Sequence, residues 1–101
     1  MNHILFEYHN VTASDSLETF TREKLEKLFT RNEFIVRADV FFKTENTSSD
    51  ETGMKAGIRL SAPGPRLFAE ASYDNFREAI VECVSELQRQ LAKRKASMKS
   101  Y

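Results

Sequence analysis

The stretch Phe34-Ile35-Val36-Arg37-Ala38-Asp39-Val40-Phe41-Phe42-Lys43 decides the fold. Phe34, Val36, Ala38, Val40 and Phe42 alternate with Arg37, Asp39 and Lys43, and an alternation of period two puts one apolar row on one face of a strand. This is the longest strand of the chain, so its sequence neighbours must supply its pairing partners and its cover. Upstream, Arg31-Asn32-Glu33 reads as a short connection from a helix that starts at Ser14 and Asp15 and runs to about Thr30. Ser14 and Asp15 offer cap oxygens, Asp15 and Glu18 have capping-box spacing, and Leu17, Phe20, Leu25, Leu28 and Phe29 share one side. Further upstream, Ile4, Phe6 and Tyr8 alternate with His3, Leu5, Glu7 and His9 as a first strand.

Downstream, residues 45–53 are polar and acidic and read as a mobile loop. Ala56, Ile58, Leu60 and Ala62 then mark a third strand. Pro63-Gly64 suits a type II turn, and Leu67 to Ser72 returns as a fourth strand. From about Asn75 the period becomes helical, with Phe76, Ala79, Ile80, Cys83, Val84, Leu87 and Leu91 in one apolar stripe. The order is β-α-β-β-β-α. A helix separates the first two strands, so they should pair in parallel through a right-handed crossover, while the last three form an antiparallel meander. The fold class is α+β, a four-stranded sheet with two helices packed on one face and the other face wet.

A chain of 101 residues supports one core, so residues 1–101 are expected to form a single domain. Apolar runs reach only three residues, as in Val40-Phe41-Phe42, and no basic flank with a long apolar stretch opens the sequence. The single Cys83 agrees with a reducing compartment, and the cytoplasm is the expected location. Catalysis finds little support. His3 and His9 lie six residues apart on one strand, about 20 Å, too far to chelate one ion. Cys83 falls in the apolar stripe, where a buried hydrophobe is a better reading than a nucleophile. Gly53, Gly57 and Gly64 are scattered and form no phosphate loop. No enzyme, cofactor, metal or small-molecule substrate is expected.

Charge carries more. Fifteen Lys and Arg balance fifteen Asp and Glu, yet residues 87–101 contain Arg89, Lys93, Arg94, Lys95 and Lys99 with no acid. The rest of the chain is therefore net acidic. Acids early and bases late in a helix suit its dipole, but that does not account for five unbalanced bases. Arg94 falls in the apolar stripe after Leu87 and Leu91, which implies that the helix has outrun its own core and projects into solvent or against a partner. In the first helix Lys24 lies only about 20° from Leu17 on the helical wheel and Lys27 borders Phe20. If the helices lie side by side, these lysines extend the cations of the second helix into one basic ridge. Such a ridge suits the phosphates and 2′-hydroxyls of A-form RNA, without base readout. Phe41 could stack a base, although an aromatic packed beneath a neighbour is the simpler reading. A general binder of structured or double-stranded RNA is the alternative.

The residues Phe76 to Lys95, with Ala79-Ile80, Leu87-Gln88-Arg89-Gln90-Leu91 and Lys93-Arg94-Lys95, resemble the C-terminal helix of the ribosome hibernation promoting factors. These are also called ribosome-associated inhibitor A or sigma-54 modulation proteins. Ser14 to Leu28, with Leu17, Phe20, Lys24, Lys27 and Leu28, is similar to the family's first helix, and Lys43 falls where its second strand ends in lysine. The resemblance covers nearly the whole chain. It implies one ribosome-binding domain that sits on the small ribosomal subunit, against 16S-type rRNA in the mRNA channel near the A and P sites. There it would inhibit translation by occupancy in stress or stationary phase. The RNA-binding positions it implies are Lys24, Lys27, Arg89, Lys93 and Lys95, with Arg94 a sixth cation where an aromatic or histidine is common. Arg77 stands where many members have tyrosine, and Ser72 to Phe76 departs from the usual Asp-Met-Tyr. The length resembles the short form, which implies a monomer off the ribosome, and the short apolar runs give no reason to expect a membrane partner.

Overall fold

The computed structural model describes residues 3–45 and 53–98. Its elements are β1 (His3–His9), α1 (Asp15–Arg31), β2 (Arg37–Thr44), β3 (Met54–Ser61), β4 (Leu67–Tyr73) and α2 (Phe76–Met98). The strands lie in the order β1-β2-β3-β4, with β1 parallel to β2 and the other two pairs antiparallel. One row crosses the whole sheet, Phe6 beside Val40, Val40 beside Ile58 and Ile58 beside Ala69. With period two along each strand, that register collects Ala38, Val40, Phe42, Ala56, Ile58, Leu60, Leu67 and Ala69 on the helical face, all buried. Leu25 and Leu28 from α1 and Ile80, Leu87 and Leu91 from α2 close the core over them. The sheet's other face carries Arg37, Asp39, Phe41, Lys43, Lys55, Arg59, Phe68 and Glu70.

Three local readings are corrected. β2 begins at Arg37, not Phe34, because the chain leaving α1 is still turning. The Asn32 backbone and side-chain amides both donate to Leu28 O, and Ile35 N donates to Asn32 O. That turn buries Ile35 and leaves Val36 63% exposed, the reverse of the alternating pattern. The α1 cap is Ser14, whose hydroxyl accepts from Leu17 N, rather than an Asp15 and Glu18 box. Glu18 instead accepts a 2.6 Å hydrogen bond from the Tyr8 hydroxyl and so ties α1 to β1. Finally, α2 does not outrun the fold at Arg94. The Arg94 guanidinium donates to the carbonyls of Pro63 and Pro65, clamping the turn in which Gly64 adopts φ 95°. The loop expected at 45–53 is closed at its base by Glu45 N donating to Gly53 O, and residues 46–52 lie outside the described residues.

Side-chain contacts set the relative direction of the helices. Arg77 near the start of α2 donates to Ser16 at the start of α1, and Lys95 near the end of α2 donates to the Arg31 carbonyl at the end of α1. The two helices therefore run side by side in the same direction.

Cys83 is 1% exposed, and its thiol points at Ala56 O. Burial, aided by the charges of Glu70 and Glu82, pushes it up to about 12, so the thiol is no nucleophile at neutral pH. Burial and the Glu18 contact push Tyr8 up to about 12 as well. Both folded values lie above the unfolded ones, so the unfolded chain loses these protons first. Stability is complete below about pH 9 and falls as the pH rises toward 12, with a limiting slope of about 1.4 kcal/mol per pH unit for Cys83 alone. Urea midpoints measured across that range should fall less steeply for Cys83→Ala, and Tyr8→Phe should soften the part above about pH 10. Parallel profiles for the wild type and both variants would contradict this assignment.

Candidate nucleic-acid interface

Helical spacing resolves where each cation lies. On α1, Ser16, Phe20, Lys24, Lys27 and Arg31 recur every three or four residues and form one stripe. On α2, Arg77, Val81, Val84, Gln88, Leu91 and Lys95 do the same. Because Ser16 meets Arg77 at one end and Arg31 meets Lys95 at the other, the two stripes face each other. Between these points Arg77 also lies over the Phe20 ring, 5.6 Å from its centroid, and Lys24 lies 5.4 Å from the same centroid. Neither stripe contains an acid. The cleft between the helices is thus bordered by Lys24, Lys27, Arg31, Arg77 and Lys95; of the acids of α1, Glu23 falls at the outer edge of the stripe, about 20° from Ser16, and Asp15, Glu18 and Glu26 lie further round.

Of the six cations expected at the site, Lys24, Lys27 and Lys95 border this cleft. Lys27 has no ion pair or hydrogen-bond partner among the described residues. Lys95 is held at the far end by its 2.8 Å bond to Arg31 O, where it also complements the C-terminal dipole of α1. Arg89 and Lys93 share a different flank, with Arg89 about 120° around α2 from Lys95, so the six do not form one continuous ridge. Arg89 is paired with Glu86, through a 3.0 Å bond from Nε and a second from Nη2, and its guanidinium approaches Glu82 at 4.0 Å. The guanidinium holds the Glu86 carboxyl below its usual range, and Glu86 in turn raises Arg89. Water screens an exposed pair of this kind, so Arg89 can exchange its carboxylate for a phosphate at little cost. Lys93 makes no hydrogen bond or close ion pair among the described residues, though its charge adds to what lowers Glu86. Arg94 stands apart, since both arms of its guanidinium are engaged with the Pro63 and Pro65 carbonyls.

Arg31 and Arg77 were missed by sequence reasoning. Arg31 reads as part of a connection, and Arg77 as a departure from a tyrosine. The periodicity of the stripe that contains Phe20 and Lys24 was the available signal for Arg31. Arg77 becomes recognisable only when the helices are known to run in the same direction. Among the described residues, no three His, Cys, Asp or Glu side chains are grouped to hold a metal ion. No helix of the described residues is long and apolar enough to cross a membrane.

Comparison with known proteins adds a family and a fold. The family model described as sigma 54 modulation protein / S30EA ribosomal protein matches residues 4–99. A ribosomal subunit interface protein from Coxiella burnetii superposes with a TM-score of 0.81 at 22% identity, over 93% of this chain and 98% of the other. The Protein Y N-terminal domain from Thermus thermophilus superposes with a TM-score of 0.71 at 21% identity, over 92% and 98%. No curated protein matches the sequence.

The clamp formed by Arg94 generates a contrast that can be measured. Arg94→Ala should cost about 1 kcal/mol, from two hydrogen bonds donated by a charged group near the surface, and lower Tm by about 4–8 °C. Lys93→Ala, one residue away, should stay within about 0.5 kcal/mol. Equal losses in thermal melts would show that Arg94 is not structural.

Proposed function

The chain belongs to the sigma 54 modulation protein / S30EA ribosomal protein family, and from that premise we propose that it is a ribosome hibernation factor. It binds the small ribosomal subunit in the mRNA channel near the A and P sites and inhibits translation by occupancy, in stress or stationary phase. Its action requires no bond-making step. The observation that carries this reading is the row of Lys24, Lys27, Arg31, Arg77 and Lys95 along the seam between two helices running in the same direction, with Glu23 the one acid of either helix at its edge. Folded rRNA presents phosphates along A-form grooves, and rigid rows of Lys and Arg match such a surface without reading sequence. Arg89 and Lys93 supply a second cationic edge on the outer flank of α2. Arg94 contributes indirectly, by fixing the turn against which that part of α2 is held. The Coxiella burnetii neighbour is a ribosomal subunit interface protein, which supports a ribosomal partner. The proposed unit is the domain itself, acting as a monomer off the ribosome, in the cytoplasm.

If about five cations meet phosphates, the logarithm of affinity should fall with the logarithm of salt at a slope of roughly −3 to −5. Lys24→Glu with Lys27→Glu should reduce co-sedimentation with small subunits at least ten-fold and relieve inhibition in a translation assay. Arg89→Glu with Lys93→Glu should do the same, and both pairs should keep stability within about 1 kcal/mol, being exposed or at the surface margin. Binding that survives both reversals would sink the proposal. Equal affinity for a plain RNA duplex and for the subunit would reduce it to general double-stranded RNA binding.

A further inference from the structure

The bare face of the sheet is built differently from the helical one. Gly57 lies under the ring of Phe41, so closely that a Cβ at Gly57 would stand 2.3 Å from ring carbons. The absent side chain lets Phe41 lie across β3, where it stacks with Phe68 of β4 at 6.4 Å and 25° between planes. The His9 ring meets Phe41 edge-on at 6.5 Å, and the Arg59 guanidinium lies over Phe68 at 5.8 Å from its centroid. Four flat groups thus run as a strip across the sheet, and Phe68 is 41% exposed. The strip occupies a depression of about 750 Å³ bordered by cations.

The charges of this depression are unequal. It holds Arg37, Lys43, Lys55, Arg59 and Arg66 against Glu7, Asp39 and Glu70. Asp39 is satisfied by Arg37 at 2.9 Å, Glu70 by Lys55 at 3.3 Å, and Glu7 faces His9 at 3.5 Å. Lys55 also reaches Glu45 at 3.6 Å. Those pairings leave Lys43, Arg59 and Arg66 without a carboxylate partner, two of them at opposite ends of the strip. Lys43 sits at the end of β2, and Arg66 beside the turn before β4, about 20 Å away along the strands. That spacing exceeds one nucleotide and suits a short extended chain.

We infer that this open sheet face binds single-stranded RNA, with bases stacked on Phe41, Phe68 and the Arg59 guanidinium and phosphates drawn to Lys43 and Arg66. The chemistry is that of a stacking platform inside a basic groove, which accepts any base because every base has a flat face. The surface is on the opposite side of the sheet from the helix cleft, so the inference stands independently of the ribosome-binding proposal. A duplex does not fit it, since its bases are already stacked on one another and offer no free face to Phe68.

The test is fluorescence anisotropy with an unstructured RNA of about eight nucleotides, within the range single-stranded sites cover. Phe68→Ala should weaken binding about ten-fold or more. Lys43→Glu with Arg66→Glu should weaken it comparably and flatten the salt slope by roughly 1.4, at about 0.7 per lost phosphate contact. The helix-face pair Lys24→Glu with Lys27→Glu should stay within two-fold of wild type on this oligonucleotide while losing the ribosome, which separates failure of one proposal from failure of the other. Circular dichroism reports whether Phe68→Ala folds, and if it does not, the Lys43 and Arg66 pair decides. No binding by the wild type, unchanged binding by Phe68→Ala, or preference for a blunt duplex over the single strand would each overturn the inference.

Discussion

The parallel pairing of β1 with β2 is the constraint on which the rest of the structure depends. Two adjacent parallel strands cannot be joined by a tight turn, so the chain must cross over the sheet, and α1 is that crossing. The next three strands form a meander, which leaves β4 parallel to β2 and sends α2 back over the sheet in the direction α1 takes. Both helices bury an apolar stripe, so both occupy the same face. Their shared direction brings Ser16 to Arg77 and Arg31 to Lys95, and turns two separate stripes of the sequence into opposite walls of one cleft. An antiparallel arrangement would have set Lys95 against the N-terminus of α1, where the helix dipole disfavours a cation.

Cations are numerous here, but their surroundings divide them into different kinds. Arg94 and Lys95 are neighbours in sequence and both donate to backbone carbonyls, yet one stiffens a turn and the other bridges two helix ends. Arg89 holds carboxylates that water can replace, so its pairing stores little free energy and does not withdraw it from an anionic partner. Lys27 and Lys93 make no hydrogen bond or close ion pair among the described residues. Sequence position alone cannot make these distinctions, because Lys93, Arg94 and Lys95 read as one basic run. The helical twist of about 100° per residue sends three successive side chains in three directions, and only the elements waiting there decide their roles.

The element order, the crossover, the meander and the shared helical face were all legible in the sequence, because each follows from periodicity and from what short connections permit. Boundaries were less so where a turn reverses parity. At Ile35 and Val36 the apolar pattern is ambiguous, since both are β-branched hydrophobes, and the decision comes from Asn32 hydrogen bonds that no pattern encodes. The Ser14 cap was visible, but Glu18 was not assignable, because its partner Tyr8 lies on another element ten residues earlier. Within the candidate site, Lys24 and Lys27 were legible because they edge an apolar stripe. Arg77 was not, because its meaning depends on which end of α1 it meets. Phe41 marks the same limit. Its strand parity was readable, while the room that Gly57 gives its ring comes from cross-strand register.

A sheet covered on one side only must give its other side a reason not to aggregate, and a pair of aromatics such as the half-buried Phe41 and the exposed Phe68 is on its face a liability. Here it is bordered by Lys43, Arg59 and Arg66, which have no carboxylate partner, and like charge of this kind disfavours the approach of a second such face. The same charge attracts a polyanion. One arrangement therefore disfavours self-association and favours nucleic acid, and the two effects are a single electrostatic fact. The helical side uses no aromatic surface of this kind. Phe20 is the ring nearest its cleft, and it is occupied by Arg77 and Lys24, so it presents charge where the open face presents rings. Folded RNA shows phosphates and hides its bases, whereas a single strand shows both. On the binding proposed for each face, the division of rings and charges between them matches that difference between the two forms of RNA.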